Sequence, residues 1–207
     1  MQLDIFFQIL ILIFSVVIHE VSHGFTALCF GDKTAQYEGR LTLNPFKHLD
    51  WFGSVILPLI LFITKAGFMI GWAKPVPYNP YNLRNRNIAE PLVAFAGPAS
   101  NLFVAIVFGL IVRGMIYFGF STSPLVIMFS FVVLINVSLA VFNLIPIPPL
   151  DGSKILSAIL PVRERYKFNS ISQRYGFIII LAIVIFLPDF IYPIIVSLFK
   201  LITGIGI

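Results

Sequence analysis

The chain predicts an all-α polytopic membrane protein, and three observations set that class. Of 207 residues, 58% are hydrophobic and only 11% charged. The apolar residues gather in runs of about 20 or more, long enough to cross a bilayer as helix. Basic residues collect in the segments between those runs. A water-soluble domain carries about a quarter charged residues, so this chain lacks the polar surface to cover itself in water. It is too apolar for disorder, its one cysteine (Cys29) rules out a disulfide scaffold, and no clustered basic face marks a nucleic-acid binder. The formal charge of +5 is spread over short loops, the pattern that retains loops in the cytoplasm.

The first run, 3–30, reads as one helix of about 42 Å at 1.5 Å per residue. It is a retained helix rather than a leader, because its only early charge is Asp4, no small-residue cleavage site follows, and His19, Glu20 and His23 lie inside it. Residues 31–50 form a loop with a β-like alternation from Tyr37 to Leu43, closed by Asn44-Pro45, and predict a small membrane-associated β region. His48, beside Lys47, reads as solvated or interfacial. An apolar segment at 51–70 contains Pro58 and Lys65; a loop at 71–90 follows, then a helix at 91–120. A helix at 124–145 leads into Pro146-Ile147-Pro148-Pro149-Leu150-Asp151-Gly152, followed by a basic loop at 152–175 and a C-terminal apolar segment at 176–207. That makes five apolar helical segments, or six if Pro188-Asp189 divides the last, in a single domain over 1–207 with no appended soluble module.

Three inter-helix segments are basic: Lys33, Arg40 and Lys47; Lys74, Arg84 and Arg86; and Lys154, Arg163, Arg165, Lys167 and Arg174. The connection near Gly119 to Pro124 carries no charge. With every basic segment in the cytoplasm, both flanks of 51–70 fall on one side, so either that segment is re-entrant or one basic loop breaks the rule. The re-entrant reading is preferred.

His19-Glu20-Val21-Ser22-His23 is H-E-x-x-H. On a helix its two histidines, four residues apart, share one face and can hold one Zn²⁺, while the glutamate reaches a metal-activated water. Each ionisable residue inside a bilayer costs about 2.5–3.5 kcal/mol on insertion scales, so three together point to a metal site rather than to packing. A catalytic zinc needs a third protein ligand and an open position. Asp151 closes a stretch where three prolines deny a regular helix, and non-helical backbone at membrane depth lines a protein-buried or wet cavity. The same residues also fit an Asp-Gly turn at the membrane surface. Gly97-Pro98-Ala99-Ser100-Asn101 reads first as a close-packing face, with Asn101 within reach of polar groups on the first helix.

HEVSH in one membrane helix and FNLIPIPPLDG at the end of a later one resemble the two signature motifs of the site-2 protease family of intramembrane zinc metalloproteases. GRLTLNPFKHLDWFGS, GWAKPVPYNPYNLR and AGPASN resemble intervening stretches of its compact prokaryotic members, those without PDZ or CBS domains. The resemblance spans Ile18 to Gly152. It implies His19, His23 and Asp151 as ligands of one Zn²⁺ per chain, Glu20 as general base, and Asn143 as a donor to the substrate carbonyl, with interhelical bonding the alternative for Asn143. It also implies a β region after the first helix and a metal lying toward the cytoplasmic face of a prokaryotic cell membrane.

The function expected is hydrolysis of peptide bonds in or near transmembrane segments of membrane proteins, as in regulated intramembrane proteolysis. The Tyr37 to Leu43 strand would present an edge on which an unwound substrate segment adds as a strand. The alternative is a non-proteolytic metal-binding membrane protein, a transporter or scaffold. Such a passive site has no need of an acid/base beside its ligands, and only one clear helix break is visible where a transporter would show internal repeats. The partners expected are a transmembrane protein substrate and the lipid bilayer, with no nucleic acid; the sequence does not set the oligomeric state.

Overall fold

A computed structural model describes residues 2–50, 56, 60, 74–186 and 188–206. Helix α1 (Gln2–Cys29) is built from Leu, Ile, Phe and Val with no proline, and ends in a Schellman motif. Asp32 N–H bonds Ala27 O, Gly31 N–H bonds Leu28 O, and Gly31 takes φ +100°, a left-handed conformation that glycine adopts without strain. A single helical turn, α2 (Thr34–Tyr37), follows. The chain then passes through turns whose Asn44 and Asn79 side chains cap Phe46 and Tyr81 N–H ahead of Pro45 and Pro80.

The remaining helices are α3 (Arg86–Tyr117), α4 (Pro124–Asn143), α5 (Asp151–Ile159), α6 (Val162–Phe186) and α7 (Pro188–Thr203). Helix α3 is central and packs against α1, α4, α5 and α7. Ala105, Val133, Val137 and Phe199 form one apolar core between α3, α4 and α7. A second core joins Ala27, Leu83, Ala89 and Val93 beneath Phe30 and Tyr78. Small residues allow these approaches: a Cβ on Gly109 would stand 2.1 Å from Ile202 Cγ2.

Several expectations are corrected. No strand forms among the described residues. Tyr37 ends α2, and Gly39 at φ +62° closes a second Schellman motif, with Arg40 N–H on Ala35 O and Gly39 N–H on Gln36 O. Local bonds thus take up the backbone N–H groups of 37–40, and no described segment pairs with 37–43 as a sheet, so the substrate edge expected there does not form among the described residues. His48 is 1% exposed, its Nε2 bonded to Thr42 O at 2.9 Å, rather than solvated. The basic loop 152–175 is helical, as α5 and the first half of α6. Arg113 donates to the last carbonyls of α7, Ile202 O at 2.8 Å and Leu201 O.

In place of five or six membrane helices, three in the described residues are long and apolar enough to cross: Phe6–Cys29, Arg86–Tyr117 and Pro124–Asn143. They make this an integral membrane protein. Helix α7, at 16 residues, covers about 24 Å, shorter than a typical hydrocarbon core. The re-entrant reading of 51–70 lies outside the described residues apart from positions 56 and 60.

Candidate metal centre

His19 and His23 lie one turn apart on the face of α1 that meets α3 and the start of α5, and both are buried. Asp151, the first residue of α5, reaches the same point. Its Oδ2 lies 3.0 Å from His19 Nε2 and 3.2 Å from His23 Nε2, and the two Nε2 atoms are 3.1 Å apart. The site is assembled from residues 132 positions apart. Two features bring Asp151 in. The Pro146–Pro149 stretch ends α4 and turns the chain, and Gly152 permits contact with the end of α4, since a Cβ there would lie 2.3 Å from Leu144 O.

The donor chemistry of this group fits a metal. His23 Nδ1 is 2.6 Å from Val93 O, a carbonyl that only accepts, so Nδ1 carries the proton. His19 Nδ1 is 2.7 Å from Asn101 Oδ1 and likewise donates. As neutral imidazoles both rings therefore present bare Nε2 lone pairs to each other and to the Asp151 carboxylate. Three acceptors within 3.2 Å with no hydrogen to share is an unfavourable arrangement that a cation resolves. Donors about 2.0–2.1 Å from a tetrahedral Zn²⁺ stand roughly 3.3 Å apart, close to this triangle. Among the described residues this is the one such group of His, Cys, Asp and Glu.

Glu20 projects from the adjacent face of α1 and is half-buried. Its Oε2 accepts the Val76 N–H at 2.9 Å. The segment bearing Val76 is fastened on both sides. Arg40 Nη2 donates to Lys74 O at 2.8 Å and Pro75 O at 3.3 Å, and Asp32 accepts from Asn79 N–H at 2.7 Å and Asn82 Nδ2 at 3.0 Å. Asp32 also accepts the Thr34 hydroxyl and N–H. Burial works against ionising Asp32, and these hydrogen bonds outweigh it, holding the carboxyl below the ordinary range. Lys154 Nζ sits 3.6 Å from Asp151 Oδ1 and over the Tyr78 ring. Burial pushes the Tyr78 phenol up.

Of the residues singled out from sequence, His19, His23 and Asp151 come together and Glu20 stands beside them. The Asn143 amide turns back to Leu139 O on its own helix at 2.9 Å. Sequence reasoning missed Asn136 and Ser15, which are buried behind Asn101, and the backbone groups Val93 O and Val76 N–H. The available signal was Asn136 itself, a lone amide within the apolar run of α4.

Known proteins give an independent reading. The profile of peptidase family M50 matches residues 116–185. YwhC of Bacillus subtilis, provisionally named a zinc metalloprotease, is 40% identical over 182 residues, 86% of this chain and 79% of YwhC. Rip2 of Mycolicibacterium smegmatis and MJ0611 of Methanocaldococcus jannaschii, named in the same way, are 32% and 31% identical over 172 and 157 residues. Those matches take in 83% and 72% of this chain, 63% of Rip2 and 72% of MJ0611. No solved structure matches the chain significantly. The extent of the YwhC match, together with the profile over the segment that contains Asp151, shows that the chain belongs to peptidase family M50.

Proposed function

We propose that this metalloprotease is a zinc-dependent intramembrane endopeptidase, cutting peptide bonds in or near transmembrane segments of membrane proteins, with Glu20 as general base. The observation that carries the reading is the convergence of His19 Nε2, His23 Nε2 and Asp151 Oδ2 within 3.2 Å, with both histidines on a helix apolar enough to cross a membrane. These three atoms would hold Zn²⁺, which would supply Lewis-acid polarisation of a peptide carbonyl and lower the pKa of water toward about 7.

The rest is done by the chain. The Glu20 carboxylate takes the proton of the attacking water and returns it to the leaving amine as the C–N bond breaks. Val76 N–H fixes one carboxylate oxygen, so the other is the one that meets water. Asn143, once released from Leu139 O, offers its NH₂ to the carbonyl oxygen as charge develops there. Burial of both histidines keeps bulk water away from them. The whole chain acts as a single membrane-embedded domain, with its basic segments and the metal-binding end of α1 toward the cytoplasm. The partners are a transmembrane protein substrate and the bilayer, in the setting of regulated intramembrane proteolysis.

The test uses detergent-purified protein, wild type beside Glu20→Gln, against a panel of labelled transmembrane peptides with bound metal quantified. Loss of cleavage by about 10²-fold or more with metal retained is expected. Equal cleavage by both proteins removes Glu20 as base, and a metal-loaded wild type that cuts no peptide removes the intramembrane endopeptidase reading.

A further inference from the structure

Behind the metal centre lies a polar network in the apolar interior of α1, α3 and α4. Ser15, Asn101 and Asn136 are each at most 3% exposed. Asn101 Nδ2 donates to Ser15 O at 3.2 Å and to Asn136 Oδ1 at 2.9 Å. Asn136 Nδ2 in turn donates to Ser15 Oγ and to Val132 O, each at 2.9 Å.

This network runs in one direction only. Val132 O and Ser15 O are carbonyls and can only accept. Val132 O obliges Asn136 to face it with NH₂, which aims Asn136 Oδ1 at Asn101. Ser15 O and Asn136 Oδ1 then both require NH₂ of Asn101, which leaves Asn101 Oδ1 for His19. Reversing either amide would set two donors or two acceptors against each other in a buried, apolar interior, where an unpaired polar group is costly. The end of the relay is an acceptor on His19 Nδ1, so the proton stays on Nδ1 and the Nε2 lone pair is left for the metal.

We propose that Asn136, with Ser15, is a positioning residue of the metal centre, fixing the amide of Asn101 and thereby the tautomer and ring angle of His19. The inference rests on the zinc site proposed above and assigns it a partner on α4, a helix that supplies no ligand. Partners of this kind behind a ligating histidine typically change metal affinity 10–100-fold when removed.

Zinc affinity of the full chain in detergent, measured by competition with a chromophoric chelator, and the visible spectrum of the Co²⁺-loaded protein test this without reference to peptidase activity. Asn136→Leu keeps the side-chain shape and removes the amide; a fall in zinc affinity of about 10-fold or more with altered cobalt bands is expected. Ser15→Ala, which deletes a single hydroxyl, should move both readouts the same way by a smaller factor, and it carries the test if Asn136→Leu does not fold. Val137→Ala, next along α4 and buried in the apolar core, should loosen the fold without moving either readout. Wild-type affinity and spectrum in the Asn136 and Ser15 variants, or a loss no larger than that of Val137→Ala, would overturn the inference while leaving the zinc site intact. A wild type that takes up no zinc removes the zinc site, and this inference with it.

Discussion

Gly97 faces His23 so closely that a Cβ at this position would lie 2.5 Å from the imidazole Nε2, and 2.6 Å from Nε2 of His19. Val93, whose carbonyl holds His23 Nδ1, and Asn101, whose amide oxygen holds His19 Nδ1, stand four residues to either side of it. One stripe of α3, at positions 93, 97 and 101, therefore orients both rings and leaves room between them. The missing side chain of this glycine is the space in which the two histidine Nε2 atoms proposed as ligands meet.

Gly97→Ala should reduce zinc affinity by about 10-fold or more, since second-layer disturbances of ligating histidines reach that size, with peptidase activity falling alongside. The same change at Gly114, on the same helix with nothing within 4 Å of its would-be Cβ, should be neutral or stabilising by about 0.5–1 kcal/mol, the gain of Ala over Gly within a helix. Zinc quantification and thermal unfolding of both variants check this. Equal metal affinity in Gly97→Ala and wild type would refute the role given to the stripe.

Removing metal should loosen the fold, because it leaves three acceptors pressed together at 3.0–3.2 Å. By mass action a ligand at 100 times its Kd stabilises by about 2.7 kcal/mol. Chelator-stripped wild type should therefore unfold at a lower temperature and recover on adding Zn²⁺, whereas Asp151→Ala should show little response. Equal recovery in both would place the bound zinc elsewhere.

The parts of the site that sequence makes legible are those in which the spacing is itself the chemistry. His19 and His23 at i and i+4 must share a helix face, and Asp151 stands where prolines force the chain out of helix. Asn136 is not legible in this way. A lone asparagine in an apolar run has the same sequence pattern whether it bonds another helix or orients a ligand, and only the arrangement of Val132 O, Ser15 and Asn101 distinguishes the two. The strand expected at 37–43 fails for a related reason: alternation needs a partner, and Gly39 instead completes local bonds that close a helical turn. The stretch 152–175 reads as a loop because its charges mask helical runs. Asp151 leads α5 at the end where a helix favours negative charge, and Arg165 donates to Ala158 O near the end of that helix.

Asp32 gives the structure a defined acid sensitivity outside the membrane helices. Its folded pKa is depressed, so its contribution is fully present above the unfolded value of about 3.9 and is lost as pH falls through the folded value. Asp32→Ala removes an acceptor shared by Thr34, Asn79 and Asn82 and should cost about 1.5–3 kcal/mol at neutral pH. The stability margin of wild type over this variant should narrow below about pH 4. Thermal unfolding of both from pH 3 to 7 gives the margin directly, and a constant margin would show that the Asp32 charge contributes nothing.

Val76 N–H is the group that holds Glu20, so removing that hydrogen alone should uncouple catalysis from metal binding. Val76→Pro does this with little change in side-chain volume, and the position already lies between Pro75 and Pro77. Val76→Ala keeps the N–H and trims side-chain packing, including that against Gly24. A hydrogen bond to a charged group is worth about 1.5–3 kcal/mol, which at about 1.4 kcal/mol per factor of ten corresponds to a fall in kcat of roughly 10- to 100-fold for Val76→Pro. Bound zinc should stay at the wild-type level, because no ligand is touched. Val76→Ala should remain much closer to wild type in kcat. A parallel loss in the two variants would mean that the segment only packs against α1; a loss confined to Val76→Pro, with zinc retained, would show that this amide aims the Glu20 carboxylate.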